Sequence, residues 1–110
     1  MNKFLLSDMV KGWFVGAFSP SAFHTQSVEV AVKRYFLGDA EPRHHHRIAT
    51  ELTVIVEGRA RMNSTDFGPG DIVVIAPGES TDFLALTDLT TVVVKLPGAL
   101  NDKFDGVALC

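Results

Sequence analysis

Between residues 28 and 96 apolar and polar positions alternate in short runs rich in Val, Ile, Thr and Phe, and the runs are interrupted by Gly, Pro, Asn and Asp. A two-residue period bounded by turn formers is the pattern of half-buried β-strands. It predicts strands at 28–37, 43–46, 51–57, 59–62, 72–75, 81–86 and 90–96. The breaks fall at Gly38-Asp39, Gly58, Asn63-Ser64, Gly68-Pro69-Gly70-Asp71, Pro77-Gly78, Thr87-Asp88 and Pro97-Gly98. Short strands in this number, with turns between them, imply an all-β antiparallel sandwich or barrel. Ahead of them Leu5, Leu6, Met9 and Val10 fit one face of a short helical turn, which Gly12 and Gly16 weaken. Trp13, Phe14 and Phe18 are too apolar to be left in water. They are expected to pack on the barrel of their own chain or across a homodimer interface. The pattern gives one domain, with residues 1–27 as an N-terminal extension and 28–96 as the barrel core.

Composition agrees with a single small core. The chain has 110 residues, of which 46% are apolar and 21% charged, with eight Phe. A chain of this size closes a core without staples. Ten basic against 13 acidic residues give a net charge of −3, which offers no electrostatic footprint for nucleic acid or an anionic membrane. Asp8 and Lys11 interrupt the apolar N-terminal stretch too early for a signal-peptide core or a membrane span. Cys110 is the one cysteine, so no internal disulfide forms and a cytoplasmic protein is expected. At the chain's end it makes a poor catalytic thiol. No Gly-x-Ser-x-Gly elbow is present, and Gly68 to Asp71 lacks the Lys-Ser/Thr pair of a phosphate loop. The match of Asn63-Ser64-Thr65 to a glycosylation acceptor is a three-residue coincidence and carries no weight.

Three of the four histidines are consecutive, at 44, 45 and 46. In an extended strand His44 and His46 project to one face and His45 to the other. If residues 47–50 form a hairpin connection, His46 lies opposite Glu51 and His44 opposite Thr53, with cross-strand Cβ atoms about 4.5–5.5 Å apart. Two imidazoles and a carboxylate on one face make a site for a first-row transition metal with open positions. A solvated polar turn is the plainer reading of the triplet.

The same residues resemble the first motif of the cupin superfamily, which is glycine, five residues, His-x-His, three or four residues, Glu, six residues and glycine. Gly38, His44, His46, Glu51 and Gly58 meet it at each position. The second motif is glycine, five residues, Pro-x-Gly, two residues, His, three residues and Asn. Here Gly70 and Gly78 match, while Ala76 stands for the proline, Thr81 for the histidine and Ala85 for the asparagine. The resemblance implies a jelly-roll β-barrel and a divalent transition metal (iron, manganese, nickel, zinc or copper) held by His44, His46 and Glu51. The fourth ligand is missing. Asp82, Glu79 and His24 are possible replacements, although Asp82 follows Thr81 and points outward if Thr81 points inward. The resemblance also implies pairing into a homodimer.

Arg34, Tyr35, Thr81 and Phe83 are the candidates for a substrate pocket. Arg34 shares strand parity with the apolar Val28, Val30, Val32 and Phe36, so one register buries it, ready for a substrate carboxylate or phosphate. In the other register Lys33 and Tyr35 face inward. Three functions remain open: a metal-dependent enzyme acting on a small molecule, by dioxygenase, isomerase, decarboxylase or hydrolase chemistry; a non-catalytic barrel binding a sugar or acidic metabolite, with or without metal; and a metal-free acid–base isomerase using His44 or His46 as proton carrier.

Overall fold

The Val- and Thr-rich run that the pattern marks as the last strand becomes the centre of a sheet. A computed structural model describes residues 1–108; Cys110, with the expectation for its thiol, lies outside the described residues. The strands are β1 (Trp13–Val15), β2 (Glu29–Tyr35), β3 (Ala40–His45), β4 (Thr50–Glu57), β5 (Ala60–Met62), β6 (Thr65–Phe67), β7 (Ile72–Ile75), β8 (Ser80–Ala85), β9 (Leu89–Leu96) and β10 (Phe104–Asp105). They form two antiparallel five-stranded sheets, ordered β1-β2-β9-β4-β7 and β10-β3-β8-β5-β6. Along β9 the inward positions Leu89, Thr91 and Val93 are buried, while Val92 and Val94 point outward and are only partly covered. Among the described residues no helix is long and apolar enough to cross a membrane.

The core lies between the sheets: Ile55, Ala60, Met62, Ile75, Phe83, Ala85 and Leu89 are buried, with Tyr35, Phe67 and Val73 packed against them. The Asn63-Ser64 break is a two-residue hairpin turn in which both residues have positive φ (50° and 63°). Asn accepts that conformation more readily than most residues. The turn joins β5 to β6, a strand that the residue pattern did not predict.

The expected hairpin is corrected. Strands β3 and β4 do not pair as a hairpin, because β3 sits between β10 and β8 in one sheet and β4 between β9 and β7 in the other. The Asp102 carboxylate accepts the N–H groups of Arg47, Ile48 and Ala49 at 2.9–3.2 Å. Thus the 47–49 segment is held as an arch that crosses between sheets. The sheets also extend beyond 28–96 at both ends. Trp13–Val15 adds an edge strand to β2, preceded by two 3-10 turns at Leu6–Asp8 and Val10–Gly12, and Phe104–Asp105 adds an edge strand to β3.

Candidate functional site

Strand β3 delivers His44, and the residue after it delivers His46. Both are buried and their rings meet edge to face, with centroids 5.7 Å apart. The other sheet brings Glu51, whose Oε2 is 3.9 Å from His46 Nε2. His44 Nδ1 lies 3.0 Å from the Pro42 carbonyl, and His46 Nδ1 is bonded to the Asp102 carbonyl. A carbonyl oxygen only accepts, so each Nδ1 carries a proton and Nε2 is the ring nitrogen left for a ligand. Burial and the Lys95 charge lower the His46 pKa, outweighing the Asp102 carbonyl and Glu51, so this imidazole is neutral at neutral pH. His45 points away, as strand alternation requires. It stacks on Phe104 at 5.6 Å and donates from Nδ1 to the Gly106 carbonyl, while its buried Nε2 has no partner among the described residues.

Thr81 is the residue directly across β3–β8 from His44, and its Oγ1 donates to the Asp82 carbonyl at 2.7 Å. None of the three replacement candidates joins the histidines. Asp82 faces outward to Arg43 at 3.6 Å and accepts the Asn63 N–H. Glu79 accepts the Ala76 N–H in a surface turn, and His24 is exposed. Tyr35 and Phe83 pack together with ring centroids 4.6 Å apart. Both line a cavity of about 30 Å³ together with His44, Glu51 and the buried Thr53, Thr81 and Thr91. Burial first, then the charges of Glu41, Glu51 and Asp39, push the Tyr35 pKa upward, so its phenol remains a donor. Arg34 is exposed on the opposite face of β2 and does not line this cavity. The strand takes the register with Lys33 and Tyr35 inward.

Above the small cavity opens a second of about 220 Å³. His44, His46 and Glu51 line it, and so do Trp13, Glu41 and four lysines, at 11, 33, 95 and 103. The residue pattern signalled only Lys33, through its parity with Tyr35. The others come from the N-terminal turn, β9 and the segment after residue 96, which no local pattern connects. Asp102 was equally silent in sequence, as it is one acid in a short polar stretch.

The donor set fits a divalent transition metal in its chemistry: two imidazoles, each steadied through Nδ1 by a backbone carbonyl so that Nε2 is the ring nitrogen left for a ligand, and a carboxylate beside one of them. As the side chains stand, however, the described residues include no group of three or more His, Cys, Asp or Glu gathered closely enough to hold an ion.

The sequence matches no protein-family model and no curated protein. Solved structures are similar. An uncharacterised protein with a double-stranded β-helix domain from Klebsiella pneumoniae superposes with a TM-score of 0.64 at 24% identity, over 78% of this chain and 72% of its own. A sugar phosphate isomerase of the cupin superfamily from Silicibacter pomeroyi gives 0.59 at 23% identity, over 64% of this chain and 50% of its own. Oxalate decarboxylase from Bacillus subtilis gives 0.65 at 21% identity, over 73% of this chain but 24% of its own. Two facing antiparallel sheets, with the motif histidines opening into the space between them, agree with these likenesses: the chain has the double-stranded β-helix fold of the cupin superfamily.

Proposed function

We propose that the chain is a small-molecule enzyme that holds a divalent transition metal through His44, His46 and Glu51. The observation that carries the reading is the pair of Nδ1–H···O=C bonds to Pro42 and Asp102, which orients both imidazoles with Nε2 as the ring nitrogen left for a ligand, at a cavity that Glu51 also lines. A divalent ion held there would act as a Lewis acid toward a substrate oxygen or activate water or dioxygen. Tyr35 supplies a hydroxyl donor at the same cavity, and Thr81 leaves the space opposite His44 to ligand or water. The isomerase and the decarboxylase among the structural neighbours support action on a small molecule without choosing the reaction, because fold does not fix chemistry.

A second reading, a barrel that binds a small ligand without metal or catalysis, rests on Thr81 in place of a fourth ligand and on the absence of a tight three-donor group among the described residues. Elemental analysis of tag-free protein, purified without a nickel column, separates the two. Near-stoichiometric metal that disappears in the His44→Ala, His46→Ala double variant is expected. Metal absent from the wild-type chain sinks the first reading and leaves the second. We also propose that two copies pair through the outer face of the β7-edged sheet, where Val56, Ile72 and Val74 are exposed at 47%, 62% and 60%.

A further inference from the structure

Four of the chain's five lysines, at 11, 33, 95 and 103, line the 220 Å³ cavity. They reach it from the N-terminal 3-10 turn, β2, β9 and the segment before β10. Only two carboxylates, Glu41 and Glu51, line it with them. Among the described residues only Lys103 of the four is ion-paired, to Glu41 at 3.9 Å. A chain of net charge −3 has thus gathered an excess of cations at one opening, against its overall electrostatic balance.

Trp13 sits inside this collar. The Lys33 and Lys95 ammonium groups lie 5.1 Å and 4.9 Å from the centre of its ring, so one indole is shared by two like charges. Cation–π attraction offsets part of their repulsion. Burial lowers the Lys33 pKa, Glu41 opposes it, and the ammoniums of Lys11, Lys95 and Lys103 lower it further. The fold therefore keeps cations together at some cost, which an anion between them would remove.

We infer that the cavity above His44, His46 and Glu51 takes a small hydroxylated acid, whose carboxylate or phosphate is held by Lys33 and Lys95 beside Trp13. The inference rests on the reading of this cavity as the ligand site. Its volume lies below the roughly 300 Å³ at which drug-sized pockets begin, which limits the ligand to sugar size. Tyr35 lines this cavity and also lines the smaller cavity that holds Thr81, which brings polar side chains near the ligand body. Lys11 and Lys103 supply long-range attraction from the rim, and binding weakens as salt screens them.

Trp13 is the only tryptophan, so its fluorescence reports on this cavity directly. The protein is titrated at low ionic strength with galacturonate, with glucose 6-phosphate and with glucose, and metal content is measured on each sample. Saturable quenching or enhancement by at least one of the two acids, and none by glucose, is expected; which acid responds distinguishes a carboxylate from a phosphate ligand. Lys33→Gln and Lys95→Gln each weaken binding about tenfold, the loss of one charge-assisted hydrogen bond, while Lys3→Gln, changed outside the cavity, leaves it intact. Lys11→Gln and Lys103→Gln, at exposed positions, give a smaller loss and serve if a variant at 33 or 95 does not fold. Failure of both acids, equal binding of glucose, or lysine variants that bind like wild type overturns the inference whatever the metal content. Anion binding in a metal-free chain instead sinks the metal reading alone.

Discussion

Asp102 joins the site to the fold through two groups of one residue. Its carbonyl orients His46, and its carboxylate ties down the arch from Arg47 to Ala49. Burial pushes the carboxyl pKa up, but the N–H donors of Ala49, Arg47 and Ile48 outweigh it and hold the pKa below its ordinary value. A carboxyl depressed in the folded state gives stability that is fully present above its unfolded pKa, about 3.9, and is lost as pH falls through the folded value. Asp102→Ala should destabilise the chain by roughly 3 kcal/mol, because three donors lose a charged acceptor. Asp102→Asn should remove part of the wild type's decline in stability below about pH 4. Urea melts of the three proteins between neutral and acid pH test this, and superimposable pH profiles for wild type and Asp102→Asn would contradict it.

At the scale of elements, the N-terminal strand is a wall of the cavity as well as an edge of the sheet. Gly12 has a φ of +82°, and a Cβ there would run into the Val32 carbonyl of β2. The backbone of the 3-10 turn thus lies directly on the sheet, which places Lys11 and Trp13 at the opening on either side of it. Gly12→Ala combines an αL penalty with a steric conflict that only backbone movement relieves. It should lift residues 11–13 from β2 and shift Trp13 emission to the red while the barrel stays folded by far-ultraviolet circular dichroism. An emission maximum unchanged from wild type would show that the turn tolerates a side chain and that close docking does not position Trp13.

For the whole molecule, the two faces of the first sheet have different fates. Its inner face closes on the core and the cavity. Its outer face carries Val30, Val32, Val54, Val92 and Val94 partly covered, and Ile72 and Val74 exposed at the β7 edge. An edge strand with an apolar outer face invites pairing unless charge blocks it. Wild type should sediment as a dimer and Val74→Asp as a folded monomer with its inward-facing core unchanged. A monomeric wild type at tens of micromolar would remove the homodimer from the reading, and with it the need for this apolar face to be covered by a second copy.

Local pattern was enough for the strands whose alternation is regular. β2, β4, β7, β8 and β9 lie within a residue or two of the predicted runs, because side-chain period and turn residues are properties of adjacent positions. It was enough, too, for the opposite facing of His44 and His46 from His45, and the spacing of Gly38, His44, His46, Glu51 and Gly58 pointed to the fold. The short strands β1, β6 and β10 were not legible, since two or three residues hold too little alternation and their pairing partners set them. The register of β2 was left open by sequence, and the packed barrel decided it: Lys33 and Tyr35 face the cavity and Arg34 faces solvent. How His46 reaches Glu51 was likewise a tertiary matter. A hairpin and an arch between sheets serve the same local sequence, and the Asp102 carboxylate, more than fifty residues away, selects the arch. The sequence by itself determined the strand periodicity and the donor types. Only the tertiary structure brought four scattered lysines to one opening, because charge clustering depends on distances through space that no neighbouring positions along the chain encode.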